Sequence, residues 1–112
     1  MSIRTEKISR AVQRDLAPIL SRMCQRILPG ELVTVVEVKA TADLGLAKVY
    51  VSILKSKDKD KSIYTIDFHN KEIRQELAQV MGKRVRKIPE LNFYLDTTMD
   101  HAERINSILD NL

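Results

Sequence analysis

The sequence is poor in the residues that mark secreted, membrane and metal proteins. Cys24 is its one cysteine, so no internal disulfide can form, which is typical of a reducing cytoplasm. No apolar run approaches the ~20 residues that a membrane helix needs. Residues 1–9 lack the apolar core of a signal peptide. These absences favour a cytoplasmic protein that makes no contact with a membrane.

Common cofactor and catalytic motifs are also missing. The three glycines, at positions 30, 45 and 82, lie too far apart to form a phosphate-binding loop. There is no cysteine pair for zinc, and His69 and His101 have no ligand spacing around them. We therefore expect no metal and no cofactor. The best remaining candidate for acid–base chemistry is an acidic cluster of Asp96, Asp100, His101 and Glu103. A structural role explains this cluster better, because carboxylates are favoured at a helix N-terminus by the helix dipole.

Charge is unevenly distributed along the 112 residues, whose net charge is +4. Residues 71–87 contain six Lys or Arg against two Glu, whereas residues 88–112 contain five acidic residues and one Arg. Such separation is typical of a small protein that meets a charged partner, and a basic excess suits a polyanion such as nucleic acid. The length allows one domain, residues 1–112.

Hydrophobic periodicity predicts a first helix over residues 3–28, with a kink at Pro18 because proline cannot donate to the carbonyl of Arg14. Strands are predicted at 32–39 and 46–54, joined by a turn at 42–45 into an antiparallel hairpin. A charged loop at 55–61 should precede a helix capped by Ser62. That helix should break at His69-Asn70-Lys71, with Asn70 left-handed or otherwise non-helical.

The second helix should end between positions 82 and 85, because Pro89 favours extended backbone at Ile88. A third strand is predicted at 91–96, and a last helix capped by Thr97 or Thr98 should follow. This order of elements predicts an α+β domain with helices on one face of a three-stranded sheet. Tyr50 and Tyr94 should share the opposite face, where cross-strand packing is favoured over stacking on nucleic-acid bases.

Two segments carry a resemblance to a known family. They are TADLGLAKVYVSIL at 41–54 and IPELNFYLD at 88–96, supported by Arg10, by Ile73-Arg74 and by Leu77. With a basic helix between them, they make the chain resemble ribosome-binding factor A, a family of bacterial small-subunit assembly factors. The resemblance implies a type II KH fold in the order α-β-β-α-α-β. In place of the GxxG loop of KH domains the family has an Ala-x-Gly kink, and here that position is His69-Asn70-Lys71.

The resemblance also implies a non-enzymatic monomer that binds the immature small (30S) ribosomal subunit and its 16S rRNA. Its role would be late rRNA maturation, most visible in the cold, with release aided by an assembly GTPase. The predicted RNA-binding residues are Arg4, Lys7, Arg10, Arg14, Lys71, Arg74, Lys83, Arg84, Arg86 and Lys87. Two alternatives stay open: a protein–protein adaptor that uses the acidic C-terminal helix, and a small hydrolase at the Asp96–Glu103 cluster.

Overall fold

The structure, a computed structural model, describes residues 3–82 and 88–96. These form the helices α1 (Ile3–Ile27), α2 (Lys59–Phe68) and α3 (Asn70–Met81) and the strands β1 (Leu32–Ala40), β2 (Leu46–Leu54) and β3 (Glu90–Leu95). Their order along the chain is α1-β1-β2-α2-α3-β3. The predicted last helix from Thr97 or Thr98 onward lies outside the described residues.

The three strands form one sheet in the order β1-β2-β3. β1 and β2 pair antiparallel from Leu32 opposite Leu54 to Ala40 opposite Ala47, so the predicted hairpin is confirmed. A β-bulge at Val36 shifts the register between Val35 and Glu37. β3 pairs parallel to β2, which requires a long crossover, and α2 and α3 lie in that crossover.

One face of the sheet is buried under the helices, and among the described residues the other face, called the open face below, is the more exposed one. Buried and more exposed residues alternate along β2 and β3, because successive side chains of a strand point to opposite faces. The buried face joins the three helices in one hydrophobic cluster, whose most completely buried members are Val12, Leu16, Ala47, Val49, Val51, Ile66, Ile73 and Leu77. The predicted α+β arrangement, with helices packed on one face, is confirmed for the described residues.

α1 follows its apolar stripe, and it continues through Pro18 to Ile27. The Pro18 ring is exposed, which keeps it out of the core packing. The N-terminal half of α1 is fastened to the sheet by Ser9, whose hydroxyl donates to the Thr5 carbonyl (2.7 Å) and accepts from the Ala40 amide (2.9 Å).

The predicted start of α2 is wrong. The N-cap is Asp58, whose Oδ1 accepts from the Lys61 amide at 3.2 Å, and the charged loop is correspondingly shorter. Ser62 lies inside α2, only 3% exposed. Its hydroxyl hydrogen-bonds the Glu31 carboxylate and the Asp58 carbonyl. Ser62 is therefore buried by a long-range polar contact, and the N-cap of α2 is Asp58.

The predicted break between the two middle helices is confirmed, but its conformation is not the one expected. α2 ends at Phe68, His69 adopts φ −94° and ψ 14°, and Asn70 is already the first residue of α3. Positive φ occurs elsewhere among the described residues, at Gly30, Leu44 and Lys55. The prediction of a left-handed or non-helical Asn70 is therefore wrong. The side chain of Asn70 serves instead to fasten α3 to β3.

Candidate nucleic-acid interface

The first candidate surface is the polar face of α1. Arg4, Lys7, Arg10 and Arg14 are all exposed there, opposite the stripe that packs on the sheet. The Arg14 guanidinium donates to the neighbouring Asp15 carboxylate at 3.1 Å. That hydrogen bond, together with the negative charge of Asp15, raises the pKa of Arg14 above its usual range. The face therefore presents four exposed cationic side chains on one side of α1.

The second candidate surface is a groove of about 760 Å³ between α3 and the start of β3. It is lined from α3 by Asn70, Lys71, Arg74, Gln75 and Ala78, and from the β3 side by Ile88, Glu90, Leu91 and Asn92. Lys71 is exposed at this groove, so its ammonium is available to an anionic ligand. The groove combines positive charge with amide side chains that can donate and accept hydrogen bonds.

Arg74 spans the groove and holds the entry to β3. Its Nε donates to the Pro89 carbonyl at 3.1 Å and its Nη2 to the Ile88 carbonyl at 2.6 Å. These bonds satisfy carbonyls at a position where Pro89 keeps the chain extended. Arg74 therefore positions the β3 wall of the groove, in addition to contributing its charge.

Asn70 closes the same groove from the other end. Its Nδ2 donates to the Leu91 carbonyl at 2.7 Å and lies 3.2 Å from Asp67 Oδ1. His69, just before it, is held by a 2.9 Å contact between its Nδ1 and the Thr65 carbonyl. The side chains of His69 and Asn70 at the helix break are thus engaged with the protein's own backbone.

The turn between β1 and β2 is tied to the groove. Asp43 Oδ1 accepts from the Gly45 amide at 3.0 Å and from the Thr41 hydroxyl at 2.7 Å, while Leu44 takes φ 59°. The Gly45 carbonyl then accepts from the Glu90 amide at 3.0 Å. The two sequence segments that carry the family resemblance therefore meet here, the first fixing the start of the strand that the second forms.

The predicted RNA-binding residues are divided between the two surfaces. Lys71 and Arg74 line the groove, and none of the four α1 cations does. The other predicted residues, Lys83, Arg84, Arg86 and Lys87, lie outside the described part of the chain. Sequence reasoning missed Gln75 and Asn92 in the groove. Gln75 lies one helical turn after Lys71, and Asn92 lies one residue after Leu91. Position was their only signal, because both side chains are uncharged and a charge pattern does not identify them.

The acidic cluster proposed as an alternative site lies mostly outside the described residues, which include only its first member, Asp96. Across residues 3–82 and 88–96 no group of three His, Cys, Asp or Glu could hold a metal ion. No helix in those ranges is both long and apolar enough to span a membrane. Cys24 is buried, and that burial, reinforced by the charge of Glu31, raises its pKa to about 11.

Tyr50 and Tyr94 do share the open face of the sheet, as predicted. Their ring centroids lie 5.5 Å apart with an interplanar angle of 29°. They are register partners on β2 and β3, and the Lys39 ammonium lies 5.7 Å from the Tyr50 ring centroid. The rings stack on each other, which is the cross-strand packing favoured from sequence.

Comparisons with known proteins agree on one family. A family model described as ribosome-binding factor A matches residues 4–109. Ribosome-binding factor A of Chlorobaculum tepidum is 42% identical over 113 aligned residues, covering 100% of this chain and 92% of the relative. The protein of the same name from Chlorobium phaeobacteroides strain DSM 266 is 44% identical, covering 97% and 93% respectively.

Solved structures agree on the fold. The crystal structure of ribosome-binding factor A from Thermus thermophilus superposes with a TM-score of 0.68 at 21% identity, covering 81% of this chain and 94% of that one. A homology model of the Thermus thermophilus protein, fitted into a cryo-EM map of a 30S complex, gives a TM-score of 0.55 at 21% identity. It covers 77% of this chain and 92% of that one. The fold is thus the KH-like α+β fold that the resemblance implied.

Proposed function

This chain belongs to the ribosome-binding factor A family, and we propose that it binds the immature small ribosomal subunit through its 16S rRNA. It assists late maturation of that RNA without catalysing a reaction itself. The observation that carries the proposal is the family match over residues 4–109, nearly the whole chain. The relative fitted into a 30S map supports the small subunit as the partner.

The exposed cations supply affinity for RNA. Each Lys or Arg that meets a phosphate releases condensed counterions, so binding is strong at low salt and weakens as salt rises. The face of α1 offers four such cations, and Lys71 offers another at the groove. Phosphate contacts carry no sequence information, so they cannot by themselves select one RNA.

Selectivity comes from shape. The α1 face and the groove are both fixed to one rigid core, through Ser9 to β1 and through Arg74 and Asn70 to β3. Only an RNA surface that presents phosphates at both places gains from both, whereas an unstructured RNA must be ordered first. The proposal therefore assigns this protein to a folded rRNA surface and not to RNA in general.

The protein acts as a monomer in the cytoplasm, and an assembly GTPase aids its release. Release of the protein from the ribosomal subunit requires that the many weak contacts be broken together. A partner that remodels the RNA surface would do so by removing shape complementarity.

Deleting the gene tests the maturation role. We expect precursor 16S rRNA to accumulate, measured by primer extension, and to accumulate more in the cold, because mispaired RNA escapes its traps more slowly there. Expression of the wild-type chain should restore mature ends. A variant with Arg4, Lys7 and Arg10 changed to Glu should not, while the control Lys39→Glu on the open sheet face should. Normal 16S ends in the deletion strain at every temperature would overturn the proposed role.

A further inference from the structure

A second cleft lies between α2 and β3, beside the groove already described. Its volume is about 410 Å³, and its polar and aromatic lining residues are Asp60, Tyr64 and Asp67 from α2 and Asn92, Phe93 and Tyr94 from β3. Tyr64 is 70% exposed, and Phe68, one turn further along the same helix, is 75% exposed. Contiguous exposed apolar patches mark interaction surfaces, whereas single exposed side chains do not, and these two rings lie one helical turn apart.

The charge of this cleft is opposite to that of the RNA-binding surfaces. Asp60 and Asp67 line it, and no Lys or Arg among the described residues does. The nearby cation Lys61 lines a different cleft, on the side of α2 that faces Glu31 and Ser56. Phosphate groups are therefore disfavoured in the α2–β3 cleft, whereas a cationic side chain is attracted to it.

The cleft also borders β3, the edge strand of the sheet, which among the described residues pairs with β2 alone. The Glu90 amide donates to the Gly45 carbonyl and the Asp96 amide to the Val51 carbonyl, so both amides point toward β2. Backbone groups of successive residues in a strand alternate in direction, and Phe93 is three residues from each of these two. The backbone N–H and C=O of Phe93 therefore point away from β2. Leu91 has the same orientation, and its carbonyl accepts from the Asn70 side chain. The backbone of β3 beside the cleft is thus placed to pair with an added strand.

We propose that this cleft and the edge of β3 bind an extended, arginine-rich segment of a protein partner. The segment adds a strand to β3 at Phe93, and one of its arginine side chains enters the cleft. Strand addition gives affinity through backbone hydrogen bonds, and the cleft beside the edge gives specificity for the side chain that enters it.

Arginine fits the cleft better than other residues do. Its guanidinium can stack on the ring of Tyr64 or Tyr94 while donating to the Asp60 carboxylate, whereas lysine has no flat surface for stacking. Asp67 is held in place by Asn70, whose Nδ2 lies 3.2 Å from Asp67 Oδ1. The cleft differs in charge from the RNA-binding surfaces: it is acidic and lies on a different helix from the α1 cations, although it shares Asn92 with the neighbouring groove.

An NMR titration of the full chain with a synthetic peptide of alternating arginine and valine tests the proposal. We expect shift changes confined to α2 and β3, and slower hydrogen exchange at the Phe93 amide when the peptide is bound. Tyr64→Ala and Asp60→Lys should each weaken binding about tenfold, the loss of one good contact. Tyr64 and Asp60 are exposed, so both variants should fold.

Matched controls separate this site from general charge attraction. Glu37→Lys changes the net charge as much as Asp60→Lys does but lies on β1, the far edge strand, and it should leave binding unchanged. A peptide with lysine in place of arginine should bind more weakly. Equal weakening by Glu37→Lys, or no protection of Phe93, would overturn the proposal. So would a single-stranded oligouridylate that occupies α2 and β3 more tightly than the peptide.

Discussion

The side-chain amide of Asn70 donates to the backbone carbonyl of Leu91 at 2.7 Å, which fastens the first residue of α3 to the edge of β3. The two residues are 21 positions apart, on opposite sides of the segment 83–87. This bond fixes the distance between the helix break and the strand, and therefore the shape of the groove between them.

Removing this bond should destabilise the fold modestly. Asn70→Ala leaves the Leu91 carbonyl without its donor, and we expect the free energy of unfolding to fall by about 1 kcal/mol. Asn70→Gly should cost more, because glycine is a poorer residue at a helical position. Urea denaturation measures both, with Gln75→Ala as the control in the same groove. A more stable Gly variant would restore the idea that Asn70 occupies a left-handed conformation.

Arg74 should matter for stability as well as for binding. It donates to two carbonyls, of Ile88 and Pro89, and Arg74→Met keeps the aliphatic stem while removing both bonds. The expected loss is about 1–3 kcal/mol, since donors with a full charge make the stronger bonds. Lys71→Met, an exposed neighbour, should change stability by no more than about 0.5 kcal/mol. Equal effects in guanidinium melts would contradict the positioning role of Arg74.

The buried thiol of Cys24 predicts a dependence of stability on alkaline pH. Its pKa is raised from 9.0 to about 11, so the folded state keeps its proton where the unfolded state loses it. This contribution to stability is complete below pH 9 and is lost as pH rises toward 11. Stability of the wild type should therefore fall more steeply over this interval than that of Cys24→Ala. Parallel curves from urea melts at several pH values would show that the thiol ionises equally in both states.

The sequence predicted both strands of the hairpin, β3 and the break between α2 and α3, because each depends on local alternation or on adjacent residues. Its two errors have a common cause. The Ser62 side chain is held by Glu31 and the Asn70 side chain by Leu91, and both pairs are far apart in the chain. Reasoning from neighbouring residues predicted a helix cap for Ser62 and a left-handed conformation for Asn70, because it could not include these distant partners. The same limit applies to the site. The charge pattern predicted Lys71 and Arg74 as RNA-binding residues, but it could not predict that Arg74 binds the carbonyls of Ile88 and Pro89.

The basic run after α3 should contribute directly to RNA affinity. Arg84 and Arg86 changed together to Glu should weaken binding of 16S rRNA and lower the slope of log affinity against log salt by about one for each lost phosphate contact. The matched control is Lys39→Glu with Lys48→Glu, an equal charge change on the open sheet face. Filter binding across a range of salt concentrations gives both slopes. Identical slopes for the two variants would remove the run from the interface.

The central claim is selective binding of the immature small subunit, and sedimentation of cell extract through a sucrose gradient tests it most directly. The protein should be found with free small subunits and their precursors, with little on translating ribosomes. The association should persist at moderate salt against excess transfer RNA, because transfer RNA offers phosphates but not the matching surface. Displacement by transfer RNA, with no enrichment in the small-subunit fractions, would contradict the account and leave only general RNA binding.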